Sequence, residues 1–340
     1  MKLCLIMGGA EEGGLENHVL ILCNNFVEQF DVSLIAHPMY KDRLDSRVNF
    51  IPMPMDLGRR NPWLLTRLFL KLKALSPDLI HTHGNKATAI FASIKSWIKT
   101  PCIATVHNVK RRVDMFECMA GVIGVSQGVV EGVEHVRKKV IYNGVDIFEG
   151  QAQSKNALIE EWQLQPGRKL CLAIGRLVPA KAYHLLISAW QGIDHNLAIV
   201  GEGPEQKKLQ QLIDDLKLGH KIKLVGFRDD IRAILPAADL LTISSEREGF
   251  SLVLIEALLA ETPVVSTTVA GSREILPSAY LCSTGDVDGF TAIAKRALED
   301  EESLTENYKP VFAMAKTRLT TEAMLNETMN YYRNIISEIA

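Results

Sequence analysis

The stretch SSEREGFSLVLIEALLAETPVVS, residues 244–266, is the part of the chain from which the fold is inferred. Between Leu252 and Ala260 every residue except Glu256 is apolar. A helix that is hydrophobic on all sides is a buried helix. A carboxylate in such a helix is costly unless a partner hydrogen-bonds to it. The pattern therefore predicts a buried helix that carries one acid for a specific purpose.

The residues just before this helix predict a binding site. Gly249 allows the backbone to come close to a ligand, and Ser251 is a candidate N-cap. A helix N-terminus attracts anions, so Glu248 and Glu256 flank a candidate anion site. A structural alternative stays open at this point: Glu256 pairs with a buried cation, and Glu248 is an ordinary loop acid.

Length and composition are those of a globular protein with more than one core. The chain has 340 residues, of which 47% are apolar and 23% charged, so two domains are expected. The net charge of −2 gives no reason to expect a nucleic-acid partner. The six cysteines form no C-x-x-C pair, which predicts buried thiols in a reducing compartment. The opening MKLCLIMGG is too short for a signal peptide, and no run is long enough to span a membrane. A cytoplasmic protein is predicted.

Short apolar runs alternate with amphipathic stretches along the whole chain. This alternation predicts βαβ units, and hence an α/β protein with two doubly wound Rossmann-like domains facing a central cleft. Helices are predicted at 15–30, 62–75 and 322–339, and a linker at 143–156. The predicted strands are residues 3–7, 32–36, 48–51, 79–82, 102–106, 122–125, 170–174, 197–200, 222–225, 240–243, 263–266 and 280–282.

Two domains and a terminal helix are predicted. Residues 1–148 form the N-terminal domain, and residues 149–318 form the C-terminal domain. Residues 319–340 form a helix that is expected to cross back to the first domain.

Two loops are suited to phosphate. Gly13 and Gly14 follow the first predicted strand, and Arg176 and Lys181 follow the first strand of the second domain. Glycines permit close approach to a phosphate, and the two cations can clamp a diphosphate. Neither 13–14 nor the Gly-Glu-Gly at 201–203 completes a G-x-G-x-x-G fingerprint, which disfavours a dinucleotide dehydrogenase.

Ten motifs in order resemble the family-4 retaining glycosyltransferases of the two-Rossmann (GT-B) fold. The resemblance covers nearly the whole chain. The motifs are GGLENHV (13–19), DLIHTHG (78–84), TVHN (105–108), VSQGV (125–129), VIYNGVD (140–146), GRLVPAK (175–181), AIVGEGPEQKKL (198–209), LVGF (224–227), AADLLTISSEREGFSLVLIEAL (237–258) and TPVVSTTVAGSREIL (262–276).

The resemblance implies that the N-terminal domain binds the acceptor and the C-terminal domain the nucleotide sugar, and it implies a role for each matched residue. Arg176 and Lys181 would neutralise the diphosphate of the donor, and Glu248 would hold hydroxyls of the transferred sugar. His107 would lie beside the reacting sugar, while a core or acceptor-side role for His18 and His83 stands beside a catalytic one. The remaining donor-binding residues it implies are Gly14, Gly226 and Phe227 near phosphate and base, backbone N–H groups around Gly249, Phe250 and Ser251, and Glu256 on the ribose.

Two positions depart from the family pattern, and one acidic motif is set aside. Ala182 and Glu261 stand where the family usually has glycine. The D-x-D at Asp286–Asp288 reads as a helix start outside the predicted cleft, so no metal site and no cofactor are predicted. A nucleotide-diphosphate sugar, with UDP favoured as its nucleotide, is expected as substrate rather than cofactor.

The first domain carries a basic amphipathic segment. Its apolar and aromatic residues interleave with cations and suit either a sheet-covering helix or a helix on an anionic membrane surface. Peripheral association with the inner face of the cell membrane, and a glycan or glycolipid acceptor, are the corresponding predictions. The residues are Arg59, Arg60, Trp63, Leu64, Leu65, Arg67, Leu68, Phe69, Leu70, Lys71 and Lys73, followed by Lys95, Trp97, Lys99, Lys110, Arg111 and Arg112.

The predicted function is transfer of a hexose or N-acetylhexosamine from a nucleotide-diphosphate sugar to a lipid-linked, lipopolysaccharide or polysaccharide acceptor, with retention and without metal. Two alternatives stay open. A nucleotide-sugar epimerase of the same fold would turn over the donor without an acceptor. An inactive protein would bind sugar nucleotides and turn over nothing.

Overall fold

A computed structural model describes residues 1–11, 13–108 and 112–339. The chain forms two compact units. Unit 1 comprises Met1–Asn143 and Thr321–Ala340, and unit 2 comprises Gly144–Thr320. The two points at which the chain passes from one unit to the other lie within five residues of the predicted boundaries at 148 and 318.

Unit 1 contains a seven-stranded sheet in the order β3-β2-β1-β4-β5-β6-β7. Every neighbouring pair in it is parallel. The strands are β1 (Lys2–Met7), β2 (Asp31–Ala36), β3 (Asn49–Pro52), β4 (Leu79–His83), β5 (Cys102–Val106), β6 (Gly121–Gly124) and β7 (Lys138–Val140). The helices between them are α1 (Gly14–Phe26), α2 (Pro62–Leu75), α3 (Gly84–Ala92), α4 (Asp114–Glu117) and α5 (Gln127–Val130).

Unit 2 repeats the plan with a six-stranded parallel sheet in the order β10-β9-β8-β11-β12-β13. The strands are β8 (Leu170–Ile174), β9 (Asn196–Val200), β10 (Ile222–Gly226), β11 (Leu240–Ile243), β12 (Val264–Thr267) and β13 (Leu281–Cys282). The helices are α6 (Lys155–Glu161), α7 (Tyr183–Ala189), α8 (Gln206–Asp215), α9 (Ile231–Ile234), α10 (Leu252–Leu259), α11 (Ala270–Ile275), α12 (Val287–Glu299) and α13 (Glu301–Arg318).

The last helix, α14 (Thr321–Ile339), belongs to unit 1. Its tyrosines fix it to that unit's sheet. The hydroxyl of Tyr332 lies 2.5 Å from Nδ1 of buried His81, and that of Tyr331 donates to the Arg137 carbonyl at 2.6 Å. Both rings are nearly inaccessible to water and pack into the core cluster of unit 1. Aromatic burial and satisfied hydroxyls together hold the helix on this unit.

All twelve predicted strands are confirmed with shifts of no more than two residues at either end, and so are the helices at 62–75 and 322–339. Helix α1 ends at Phe26, four residues before the predicted end. Helix α6 starts inside the predicted linker. The predicted burial of the cysteines is confirmed for five thiols and is wrong for Cys118, which is exposed.

Each sheet has a position where the strand order reverses, between β1 and β4 in unit 1 and between β8 and β11 in unit 2. Ligands of open parallel sheets bind beyond the carboxyl ends of the strands at such a point. The loops after these four strands are therefore the first places to look for a site.

Candidate functional site

In unit 2 the loops after β8 and β11 are joined by hydrogen bonds. The Ser244 hydroxyl donates to the Lys181 carbonyl at 2.8 Å, and the Glu246 amide donates to the Ala180 carbonyl at 2.9 Å. These bonds hold the backbone of Lys181 against the segment that leads into α10. The two loops therefore present their side chains as one group.

The centre of this group is an ion pair. Lys181 Nζ lies 2.5 Å from Glu248 Oε1, and the Ser245 hydroxyl donates to the same oxygen at 2.9 Å. The side chains of Lys181 and Glu248 are 23% and 17% exposed, so the pair is only partly screened by water. Predicted residues Lys181 and Glu248 are thus brought together, and Ser245 is a partner that the motifs did not single out.

Tyr183 adds a buried hydroxyl beside the pair. Its ring is 4% exposed, and its hydroxyl has no hydrogen-bond partner among the described residues. Burial, and then the charge of Glu248, raise the pKa of Tyr183 well above its usual range. Tyr183 lines a small cavity with Lys181, Ser245 and Ser251. The cavity therefore offers neutral donors and a cation close to the start of α10.

Arg176 is exposed on the loop that follows β8, and no described carboxylate forms an ion pair with it. Its backbone is fixed on both sides. Gly175 donates to the Val200 carbonyl at 2.9 Å, and Leu177 donates to the Glu202 carbonyl at 2.8 Å. The Arg176 side chain is thus carried on a well-held loop and is available to an anion.

The start of α10 differs from the prediction in its cap. Ser251 occupies the N-cap position, but its side chain makes no capping hydrogen bond. The Phe250 ring is 5% exposed and packs on Gly271, so it belongs to the core of unit 2. Phe250 and its neighbour Gly249 keep only the predicted contribution of their backbone.

Glu256 lies midway along α10 with 18% of its side chain exposed. Burial raises the pKa of this carboxyl, and the charge of Arg232 opposes the rise. Arg232 Nε is 3.6 Å from Glu256 Oε1, which is longer than a hydrogen bond. The alternative in which Glu256 pairs with a cation is therefore met only by this long ion pair with Arg232. The acid opens onto a cavity lined by Asp146, Phe148, Arg232, Pro236, Leu259 and Ala260.

The residues predicted near the base lie at the end of β10. Gly226 has a φ of +84°, a conformation that favours glycine, and its carbonyl accepts from the Gly201 amide at 2.7 Å. Phe227 is 71% exposed, although an aromatic ring normally packs. An exposed ring at a strand end can stack on a planar ligand.

Unit 1 brings together four histidines at its own switch point. His18 lies on α1, which begins at the predicted residue Gly14, while His81 and His83 lie on β4 and His107 follows β5. His81 is a core residue, because both of its ring nitrogens contact hydroxyls, those of Tyr332 and Thr105. Desolvation lowers the pKa of the histidines at 18, 81, 83 and 107, so all four are neutral at neutral pH.

Helix α2 has an exposed face on which aromatic and basic side chains mix. Trp63 is 51% and Leu70 56% exposed, and the guanidinium of Arg67 lies 4.6 Å from the Trp63 ring centre. Trp97 is 68% exposed and contacts Phe69 edge to face. In the described ranges, no helix combines the length and the apolar character needed to cross a bilayer. Lys110 and Arg111 of the predicted basic set lie outside the described residues.

The D-x-D motif has a structural explanation. Asp286 caps α12, and its side chain accepts from the Gly289 amide at 2.8 Å. The helix start predicted there is confirmed.

The chain matches two protein-family models that together cover most of its length. Residues 154–310 match the model described as Glycosyl transferases group 1, and residues 12–148 match the model described as Glycosyltransferase Family 4. The chain therefore belongs to the family-4, group 1 glycosyltransferases. Membership confirms both the resemblance and the enzyme class predicted from the motifs.

Several curated proteins are similar to this chain. The N-acetyl-alpha-D-glucosaminyl L-malate synthase of Bacillus anthracis is 29% identical over 171 residues, which are 48% of this chain and 45% of that protein. The alignment thus spans about half the length of that relative. The UDP-Gal:alpha-D-GlcNAc-diphosphoundecaprenol alpha-1,3-galactosyltransferase of Escherichia coli is 27% identical over 317 residues, which are 81% of each chain.

A solved structure shares the fold over nearly the whole chain. HepE of Anabaena, crystallised with UDP, superposes with a TM-score of 0.85 at 23% identity and covers 98% of this chain and 100% of its own. This similarity confirms the predicted GT-B fold class.

Proposed function

We propose that this chain transfers a hexose or N-acetylhexosamine from a nucleotide-diphosphate sugar to a lipid-linked, lipopolysaccharide or polysaccharide acceptor, with retention of the anomeric configuration and without metal. The observation that carries the proposal is the Lys181–Glu248 pair with Ser245, at the switch point of unit 2 and at the start of α10. It joins a cation for phosphate to a carboxylate for sugar hydroxyls.

The reaction places charge where these side chains lie. As the bond between the sugar carbon and the diphosphate oxygen breaks, positive charge develops on the sugar and negative charge on the leaving diphosphate. Arg176 and Lys181 stabilise the diphosphate charge, which is the work a metal performs in other enzymes. Glu248 accepts hydrogen bonds from sugar hydroxyls, and its charge favours the cationic sugar.

Retention follows from attack on the face from which the diphosphate leaves. The acceptor hydroxyl oxygen bonds to the sugar carbon, and its proton passes to an oxygen of the departing phosphate. No protein nucleophile is needed. Anomeric analysis of the product tests this step, since an inverted product would exclude it.

A UDP-sugar is the proposed donor, and a polyprenyl-diphosphate glycan or lipopolysaccharide the proposed acceptor class. In support, Anabaena HepE has been crystallised with UDP and with UDP-glucose. The name of the E. coli relative specifies UDP-Gal and a diphosphoundecaprenol-linked acceptor. Exposed Phe227 is the proposed stacking surface for the base, and Glu256 the acceptor of ribose hydroxyl bonds.

Binding of the donor tests the proposal through Arg176 and Glu256. We expect Arg176→Ala and Glu256→Ala each to weaken UDP-glucose binding about 10- to 100-fold, since each loses a charge-assisted hydrogen bond. Calorimetry and thermal shift with UDP-, GDP- and ADP-sugars in chelator measure the affinity, and acceptor assays in the same buffer measure turnover.

Arg168→Ala is the matched control, because Arg168 forms its ion pair with Asp194 and was not assigned a role at the site. Unchanged affinity in both test variants would contradict the proposal. Donor turnover without acceptor would instead indicate an epimerase, and binding without any turnover an inactive protein.

The exposed face of α2 and the neighbouring Trp97 carry a further proposal, that the enzyme works on the inner face of the cell membrane. Trp63 and Trp97 suit the interfacial region, and Arg67 and Lys71 suit anionic headgroups. We expect sedimentation with vesicles containing phosphatidylglycerol at low salt, and about tenfold weaker binding for the double variant Trp63→Ser/Trp97→Ser. No sedimentation of the parent protein with these vesicles would rule this out.

A further inference from the structure

Three of the unit 1 histidines form a cluster that the proposed reaction does not explain. His18, His83 and His107 come from α1, from β4 and from the loop after β5. One ring nitrogen from each lies within 4.8 Å of one from each of the others. His83 Nδ1 and His107 Nε2 are 3.3 Å apart, within hydrogen-bond reach of each other.

The spacing of the rings matches that of ligands around one metal ion. With Zn–N bonds of about 2.0–2.1 Å, tetrahedral geometry puts bonded nitrogens roughly 3.4 Å apart and ring centres roughly 5.2 Å apart. The observed ring-centre distances are 5.5 Å for His18–His83, 4.9 Å for His18–His107 and 5.5 Å for His83–His107. The ring centres are thus within about 0.3 Å of the expected spacing, and small rotations of the rings would bring the nitrogens, now within 4.8 Å of one another, to the ion.

One ring nitrogen of the cluster, Nδ1 of His18, is buried without a hydrogen-bond partner in the described ranges, and His18 is 5% exposed. A buried polar atom without a partner is costly unless a bound ion or water satisfies it. Nε2 of His83 also has no partner there, but Nδ1 is the nitrogen of that ring that faces His107, so an ion bound at Nδ1 does not satisfy Nε2. His81 contrasts with His18, because both of its ring nitrogens are paired.

The ligand set selects the class of ion. Imidazole suits zinc, cobalt, nickel and copper, whereas magnesium, calcium and manganese prefer oxygen ligands. Three histidines leave a fourth position open, as in sites that bind an exchangeable ligand. His107 is only partly buried, so solvent reaches the cluster from its side.

We propose that His18, His83 and His107 bind one divalent transition-metal ion. The ion is not required for transfer. It is expected to bind His107, the residue that the family resemblance places beside the reacting sugar, and thereby to inhibit the enzyme. This inhibitory consequence rests on the proposed function, whereas binding of the metal does not.

Cobalt reports on the site without any substrate. Untagged full-length protein is freed of metal with chelator and titrated with Co²⁺, and the visible bands of four-coordinate cobalt are followed. We expect one equivalent to bind and Zn²⁺ to displace it. His107→Gln should weaken binding at least about tenfold, and so should His18→Gln. His107 is the more exposed of the two and the safer variant for folding, which circular dichroism checks.

His220→Gln is the matched control, because His220 is an exposed histidine of unit 2. It should bind cobalt like the parent protein. Absence of the four-coordinate bands, or equal binding by the parent and the folded His107→Gln variant, would overturn the proposal. Neither result depends on donor binding or turnover, so failure of the metal site and failure of the proposed function remain distinguishable.

Discussion

Lys181→Ala is expected to lower kcat/KM for the proposed transfer by about 100- to 1,000-fold, the usual effect of removing one group that stabilises transition-state charge. Lys181 Nζ is 2.5 Å from Glu248, and its backbone carbonyl accepts from Ser244. The ammonium group is therefore already positioned before a ligand binds. Steady-state kinetics with a UDP-sugar and a lipid-linked acceptor measures the loss.

The loss should appear mainly in kcat, because the diphosphate gains charge only as the bond to the sugar breaks. A group that stabilises substrate and transition state equally would change KM instead. Lys181→Ala also leaves Glu248, whose side chain is 17% exposed, without its cation. Ser245 still donates to that carboxylate. The melting temperature must therefore be measured beside the rate.

Lys208→Ala provides the matched control. Lys208 also forms an ion pair with a glutamate, Glu205 at 3.0 Å, but its side chain is 79% exposed on α8. Surface pairs of this kind contribute little to stability, so both rate and melting temperature should stay near the parent values. A Lys181→Ala enzyme that retained a third or more of the parent kcat would remove Lys181 from the mechanism.

Most strands were predictable because they are parallel and buried on both faces. Such strands are continuous apolar runs, as in LCLAI of β8 and CIATV of β5. Strand β7 was missed because its three residues, KKV, are polar and only partly buried. Helix α13 was also missed. It contains Pro310, and proline normally ends a helix rather than lying inside it.

The main side chains of the candidate donor site stand in sequence motifs, whereas their partners in the structure do not. Arg176, Lys181, Glu248 and Glu256 stand in local patterns that could be matched residue by residue. Arg232 lies 24 residues before Glu256 in sequence and reaches it only through folding. The metal cluster likewise combines three separate elements, so no sequence spacing indicates it.

The two residues that depart from the family pattern share one backbone feature. Ala182 and Glu261 both adopt positive φ, +50° and +56°, where the family usually has glycine. The turns are kept at a cost in strain of roughly 1–2 kcal/mol each. At Glu261 the turn is closed by a hydrogen bond from Thr262 to Ala257, and the side chain contacts Lys316 of α13. Both turns thus keep the left-handed backbone that glycine favours.

Gly201 is a position where a residue other than glycine is not expected to fit. Its φ is +140°, which side chains rarely adopt, and a Cβ there would lie 2.1 Å from the Gly175 carbonyl oxygen. The obstacle is backbone, and it belongs to the loop that carries Arg176. Gly201→Ala is therefore expected to destabilise unit 2 by at least about 3 kcal/mol, as strain and displaced hydrogen bonds add. Denaturant unfolding measures the effect, as a shift in the midpoint of the transition that occurs at the lowest denaturant concentration.

Gly219→Ala separates the effect of replacing a glycine from the effect of a steric clash with the backbone. Gly219 also lies in a loop of unit 2, but a Cβ there meets nothing within 4 Å and its φ is not positive. Its free energy of unfolding should stay within about 0.5 kcal/mol of the parent value. Because Gly175 and Gly201 approach each other only where the loops after β8 and β9 lie side by side, equal midpoints for the two variants would mean that these loops are not packed as described. The platform for Arg176 would then be lost, and with it the physical basis for a diphosphate clamp at this end of the sheet.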